Sequence, residues 1–284
     1  KTLAEQIIEY MGDHSDVVCL KDIAAHFSYH PNYISTLLHR ETGRKFTEIL
    51  LEKRMERAVL LMKNTSLCYL EKDGKKIIVD PYLSNSVVKV NPKNYRRQPI
   101  DESFLKIAPD CIILTHDHID HTDEETLVHY LGKETETPIL VLGSRSAYKK
   151  VLPYKNGHNY VEFPPHTEWS EFGLKFRSIK AEHSDFEAIG VIIEDNDKKY
   201  YITGDTLYND DIFKDVPNDI YALFLPVNGV GNNMNMTDAK RFAEKVNPKY
   251  VIPFHIGLFD NLSAKDFDCD NKIIPEIYKE IKLD

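Results

Sequence analysis

Three histidines and two aspartates fall within residues 116–121, directly behind the apolar run Cys111–Leu114. The run reads as a buried strand. It delivers Thr115-His116-Asp117-His118-Ile119-Asp120-His121 at its end, where several side chains can turn toward one point from a stiff base. Neutral imidazole and carboxylate are the ligands that borderline divalent cations accept. The plainer alternative is a solvated His-rich turn, and the rest of the chain has to decide between them.

It supplies complementary groups. His183 stands in Ala181-Glu182-His183-Ser184, Asp205 in Thr203-Gly204-Asp205-Thr206, and His255 in Pro253-Phe254-His255-Ile256, each just past an apolar run. A lone histidine is ordinarily a hydrogen-bonded structural residue, and Gly-Asp-Thr alone is ordinarily a turn. Together with the first motif they point to a metal site. His14, His26, His30, His39, His129, His158 and His166 have no partners at ligand spacing and read as bystanders.

Two regions differ in pattern. Over residues 3–63 apolar residues recur at helical spacing, and the only proline, Pro31, suits the first turn of a helix. Helices are predicted around Ala4 to Ile8, around Leu20 to Phe27, over 31–40 and over 46–62. Beyond Asn64 come short β-rich runs at 76–79, 111–114, 139–142, 174–179, 189–193, 200–202, 222–225 and 250–252. Helical patterns at 124–131, 147–152, 237–246 and 274–281 alternate with them, as in a layered α/β domain. The division expected is 1–64 and 65–284.

The net charge is −9, and residues 1–64 carry nine basic and nine acidic groups, so the whole acidic excess lies in the remainder. That balance argues against a general polyanion binder. Cys19, Cys68, Cys111 and Cys269 are scattered, form no zinc or redox pair, and read as reduced thiols. No run approaches the roughly 18 apolar residues of a membrane span, and no secretory signal is evident. A cytoplasmic protein without membrane partners is expected.

The spacing His-x-His-x-Asp-His, followed by His, Asp and His, resembles the metallo-β-lactamase superfamily. The resemblance implies an αββα sandwich over the second region, with His116, His118 and His183 on one metal, Asp120, His121 and His255 on another, and Asp205 bridging. Two divalent ions, manganese or zinc, are implied, with a bridging hydroxide as nucleophile and Asp120 orienting it or relaying its proton. Asp80 resembles the aspartate that fixes a ligand imidazole's tautomer, although an Asp-Pro turn explains it equally. Residues 76–86, 204–208, 225–238 and 247–255 resemble the branch containing L-ascorbate-6-phosphate lactonase. A lactonase acting on a sugar-acid phosphate lactone is the expectation; a phosphodiesterase or another ester hydrolase is the rival. Asn228, Asn232, Asn233 and Asn235 crowd one loop, and Asn228 and Asn233 are the candidates for substrate contact.

Residues 20–43 followed by 46–62 resemble the first helix-turn-helix and linker helix of an AraC-type DNA-binding domain. The resemblance makes the helix from Pro31 the recognition helix and places Asn32, Tyr33, Ser35, Thr36, His39 and Arg40 where DNA would lie, with Asn32, Ser35, Thr36 and Arg40 as the candidates. The family carries two such units and this chain one. A DNA-binding regulator with a metal-containing sensor is therefore the second class of function, beside a helical appendage on an enzyme. The usual opening strand of the hydrolase pattern is absent, with residues 65–70 in part of its place. A homo-oligomer is the expected assembly.

Overall fold

The protein is described from a computed structural model covering residues 1–13, 19–50 and 66–274. From Ser66 onward the chain builds two facing sheets. The first contains β1 (Cys68–Lys72), β2 (Lys75–Val79), β3 (Cys111–Leu114), β4 (Leu140–Gly143) and β5 (Asn159–Glu162), in that spatial order. The second contains β6 (Glu168–Glu171), β7 (Leu174–Lys180), β8 (Ile189–Asp195), β9 (Lys198–Ile202), β10 (Ala222–Pro226) and β11 (Tyr250–Phe254), ordered β11-β10-β9-β8-β7-β6.

Strand alternation sorts the side chains into layers. In β3, Cys111 and Ile113 face the second sheet and pack with Phe176, Val191, Ile202 and Phe224. Ile112 and Leu114 point the other way, against Leu127 and Leu131 of α5 (Glu124–Leu131) and Ala147 of α6 (Arg145–Val151). Behind the second sheet, Leu223, Leu225 and Val251 meet Ala239, Phe242 and Val246 of α7 (Met236–Val246). Helix, sheet, sheet, helix is the resulting order, the αββα sandwich expected. A short helix, α4 (Ser86–Val90), follows β2.

β2 to β5 run parallel, as do β9 to β11. β7 and β9 each pair antiparallel with β8, so they run parallel to one another. Loops leaving the C-terminal ends of β2, β3, β7, β9, β10 and β11 therefore gather along one edge. Ile189 N donates to Thr115 O across the sheets at 3.0 Å and ties that edge together.

The stretch expected to stand in part of the missing opening strand's place contributes Cys68 to Leu70 to β1, which pairs antiparallel with β2, from Cys68 opposite Val79 to Lys72 opposite Lys75. Its charged end is buried, with Glu71 accepting from Tyr69 Oη at 2.7 Å and Lys72 paired to Asp195.

The N-terminal residues form α1 (Leu3–Asp13), α2 (Leu20–His26) and α3 (Pro31–Thr42), with residues 46–50 helical. Ala4, Ile7, Ile23, Ile34, Leu38, Phe46 and Leu50 form a core of their own. His30 caps α3, its Nδ1 accepting from Asn32 N, and Gly43 closes the helix with φ 71°. The rest of the helix expected over 46–62, and the one expected over 274–281 beyond Ile274, lie outside the described residues. Among the described residues no helix is long and apolar enough to cross a membrane.

Candidate metal centre

β3 ends at Leu114, and the next seven residues make a tight loop. Its shape is fixed by His121 N and Thr122 N donating to His118 O at 3.0 and 2.8 Å, and by Thr122 Oγ1 donating to His116 O at 2.6 Å. Against this loop stand His183 beyond β7, Asp205 beyond β9 and His255 beyond β11. His116, His118 and His183 form one cluster with potential ligand atoms within 4.8 Å of one another; Asp120, His121 and His255 form a second. Asp205 lies at the second cluster, its Oδ1 3.2 Å from His121 Nε2 and its Oδ2 3.4 Å from His255 Nε2. The rings of His116 and His121, one from each cluster, are 4.0 Å apart.

The buried atoms test whether metal ions fit here. His116 Nε2, His121 Nε2 and Asp205 Oδ1 are buried and make no hydrogen bond. Orphaned polar atoms inside a protein are costly and demand an explanation. The His121 and Asp205 atoms approach to 3.2 Å without hydrogen-bond geometry. Two donors sharing one tetrahedral cation at bond lengths near 2.0–2.1 Å sit about 3.3 Å apart, so the gap suits an ion. The donors are nitrogen and oxygen; Cys68 and Cys111 are buried within strands and contribute nothing.

Asp80, just past β2, joins a third cluster with His116 and His121. Its Oδ1 accepts from Thr115 N at 2.8 Å and its Oδ2 from Thr115 Oγ1 at 2.6 Å, with His121 Nδ1 2.8 Å from the same oxygen. Thr115 Oγ1 also lies 3.0 Å from His116 Nδ1. One carboxylate thus reaches one ring directly and a second through a hydroxyl, a role for Thr115 that its position ahead of the first histidine does not advertise. Asp80 and His255 hold left-handed backbone at φ 46° and 52°, where non-glycine residues are strained and cluster at functional sites.

Electrostatics divide the imidazoles. Burial, reinforced by the neighbouring His121, pushes His116 well below its ordinary value, and burial lowers His183. Burial pulls on His121 and His255 too, but Asp205 with Asp80 and Asp120 outweighs it at His121, and Asp205 with Asp120 does so at His255; both are raised. In return, His121 and His255 outweigh the burial of Asp205 and Asp120 and hold both carboxyls down.

The asparagine loop also supports the clusters. Asn233 is buried, and its Nδ2 donates to Asp205 Oδ2 at 3.0 Å. Its Oδ1 has no partner among the described residues and the residue lines the cleft beside the clusters, so it supports Asp205 while keeping an acceptor for a ligand. Asn228 Nδ2 lies 3.3 Å from His255 Nδ1, while its Oδ1 accepts from Val230 N at 3.2 Å. Asn235 caps α7, accepting from Asp238 N. Sequence reasoning missed Asp185, whose Oδ2 accepts from Asp117 N at 3.1 Å and Ser146 Oγ at 2.5 Å, clamping the histidine loop to the β7–β8 connection. Among the other described histidines, His158 Nδ1 accepts from Ile139 N at 3.2 Å and His129 Nε2 meets Leu105 O at 2.6 Å, while His39 is exposed on α3. Asn32, Thr36 and Arg40 lie exposed on α3 with Ser35 half-buried, and Arg40 is paired to Glu41 at 2.8 Å.

Comparison with known proteins places this geometry. A family model described as Beta-lactamase superfamily domain matches residues 75–256. A UPF0173 metal-dependent hydrolase of Staphylococcus aureus is 31% identical over 210 residues, covering 68% of this chain and 83% of that protein. Among solved structures, an isothiocyanate hydrolase from Delia radicum gut bacteria superposes with a TM-score of 0.58 at 19% identity, covering 79% of this chain and 98% of that one. A diphosphatase from the PhnP family gives 0.55 at 16% identity over 79% and 95%. Likeness at such identities shows the fold. By its family match and its relatives, the chain belongs to the beta-lactamase superfamily and, within it, to the UPF0173 metal-dependent hydrolases.

Proposed function

We propose that the chain is a hydrolase working with two divalent cations, manganese or zinc, and that it opens a carboxylic ester or lactone. The observation that carries this reading is the convergence of three buried, unpartnered ligand atoms, His116 Nε2, His121 Nε2 and Asp205 Oδ1, within two adjoining clusters. His116, His118 and His183 would hold one ion and Asp120, His121 and His255 the other, with Asp205 shared. Bound there, such a pair supplies a water acidic enough to lose a proton near neutral pH and a Lewis acid for the scissile carbonyl.

The protein's own groups do the rest. Asp120, kept ionised, is placed to take the proton of the attacking water and return it to the leaving oxygen. The water oxygen bonds to the carbonyl carbon, the acyl C–O bond breaks, and the proton ends on the leaving alcohol. Asp80 and Thr115 fix the rings of His121 and His116, and Asn233 fixes Asp205. The sequence runs 204–208 and 225–238, which resemble the lactonase branch, support the ester or lactone. The same fold serves an isothiocyanate hydrolase and a diphosphatase, so fold alone does not choose the scissile bond.

Elemental analysis after loading with Mn²⁺ or Zn²⁺ is expected to find two ions per chain. Asp205→Ala, which removes the shared carboxylate, is expected to lower lactone hydrolysis by orders of magnitude. A wild-type protein that retains no metal, or a variant with near-normal turnover and full metal content, would overturn this reading.

A further inference from the structure

Beside the metal clusters opens a cleft of about 450 Å³. One side is formed by the clusters' own residues, including His118, Asp120, Asp205 and His255. The other is apolar: Val87 and Val90 of α4, Ile119, Val230 and Phe259. Val87 is buried with Tyr82 and Leu258, against which Ile119 and Phe259 pack, so the base of this wall is part of a fixed core. Its outer lip is open, with Val90 74% and Val230 62% exposed. Apolar side chains turned to water at the mouth of a polar site are surface waiting to be covered.

Charge sharpens the point. Among the described residues no lysine or arginine lines the cleft, and away from the metal clusters its charged residue is acidic, Asp260. The adjoining segment carries Lys89, Lys93, Arg96 and Arg97, none of them in the cleft lining, although Lys93 is exposed between the lining residues Asn91 and Asn94. Arg97 lies over the Tyr95 ring. Lys89 reaches Glu125 at 2.5 Å, and Arg96 lies over the Tyr82 ring while donating to Tyr82 O at 2.7 Å and Ser84 O at 3.2 Å. A phosphate or carboxylate seated in the cleft remote from the scissile bond would meet valines and an aspartate, with no guanidinium or ammonium in the lining to balance it. Asn91 and Asn94 line the same region and can serve neutral polar atoms.

Resting on the hydrolase reading above, we infer that the substrate's non-reacting part is an uncharged, apolar group seated against the wall of Val87, Val90, Ile119, Val230 and Phe259. The sugar-acid phosphate implied by the lactonase resemblance does not match this wall; a neutral lactone or ester with an alkyl or comparable hydrocarbon body does. Each methylene fully buried there strengthens binding about fourfold.

The test uses γ-butyrolactone, γ-hexalactone and γ-nonalactone, the anionic 5-oxotetrahydrofuran-2-carboxylate, and bis(4-nitrophenyl) phosphate. Hydrolysis by the Mn²⁺- or Zn²⁺-loaded protein is followed beside calorimetric binding of the lactones to metal-free protein. Binding and kcat/KM are expected to rise with chain length, with γ-nonalactone at least tenfold better than γ-butyrolactone and than the anionic lactone. Val90→Lys, at an exposed position that tolerates the change, is expected to cut that tenfold preference several-fold and improve the anionic lactone. Chain-length-graded binding without any hydrolysis would overturn the hydrolase reading and leave the apolar wall standing. A flat response to chain length, or a preference for the anionic lactone or the phosphodiester, would overturn the inference about the wall.

Discussion

The ring of His121 is held between carboxylates that place opposite demands on it. Asp80 Oδ2 at Nδ1 asks for a proton there, as a ligand bonding through Nε2 requires, whereas Asp205 near Nε2 favours a second proton that a metal would have to displace. Asp80→Asn separates the two demands. If the amide keeps its oxygen on Thr115 N, its NH₂ faces His121 Nδ1 and drives the ring toward the tautomer protonated at Nε2. Metal affinity is expected to fall 10- to 100-fold, the usual cost of losing such a partner, measured by competition with a chromogenic chelator. Asp80→Ala additionally strands the buried Thr115 N–H, at about 1–3 kcal/mol of stability. Retention of wild-type metal affinity by the asparagine variant would remove Asp80 from this role.

The same carboxylates set a pH dependence. In the metal-free protein His121 and His255 are raised above 6.5, so their contribution to stability is complete below that value and is lost as pH climbs through their folded values. Asp205 and Asp120 are held below 3.8, so theirs is present above it and is lost as pH falls. His116 and His183, held below 6.5 by burial, act oppositely and cost stability as pH falls below that value. Metal-free protein is therefore expected to be most stable near pH 6.5 and to weaken on both sides. Metal binding near pH 7 is expected to release protons from the two raised histidines. Calorimetry in two buffers of different ionisation enthalpy counts those protons, and a titration releasing none would contradict the arrangement.

At the scale of elements, the site depends on how closely β9 can approach β3. Gly204 holds φ +61°, and a Cβ there would lie 2.8 Å from Ile189 O and 3.0 Å from Thr115 Cβ. It is the pivot that turns Asp205 inward beneath the histidine loop. Gly204→Ala combines left-handed strain of about 1–3 kcal/mol with that overlap. Lower thermal stability and reduced metal retention are expected together, read by a melting curve and by metal content; an unaltered melting temperature with full metal would show that the backbone can yield there.

The eight strands read from the sequence are those whose apolar runs are long enough to stand out. The three that escaped, β1, β5 and β6, all lie at sheet edges. In β5 and β6 the residues at both ends are exposed and polar, Asn159 and Glu162 in one and Glu168 and Glu171 in the other, so no run announces them. β1 hides differently, since its Glu71 and Lys72 are buried and satisfied by partners distant in sequence or off the strand's pattern. The metal clusters were legible because each residue lies in the loop that leaves a strand's C-terminal end. Thr115 and Asp185 were not, because a threonine or an aspartate in a loop is ordinary until its partner is known. Asn233 lines the cleft as its loop suggests, but its bond to Asp205 has no counterpart in the local sequence.

For the molecule as a whole, the open question is what the N-terminal helices contribute. All the candidate metal ligands follow residue 115, and the helices of residues 3–50 have an apolar core of their own. The Staphylococcus aureus relative is matched over 83% of its length by 68% of this chain, so a protein of that family needs little beyond the sandwich. Strand β1 begins at Cys68 and pairs along its length with β2, so a chain starting near residue 63 keeps both sheets complete. Such a truncated protein is expected to retain both metals and lactone hydrolysis within about twofold, and to melt cooperatively. If α3 presents Asn32, Thr36 and Arg40 to DNA, duplex binding belongs to the full chain alone and weakens steeply with salt. The charge balance of residues 1–64 and the pairing of Arg40 with Glu41 make that binding weak even at low ionic strength. Gel shifts across a salt series, run on full-length and truncated proteins beside the hydrolysis assay, separate the possibilities. A truncated protein that stays folded and metal-loaded yet loses hydrolysis would show that the helices help to complete the active site. Equal duplex binding by both forms would remove α3 from any role in reading DNA.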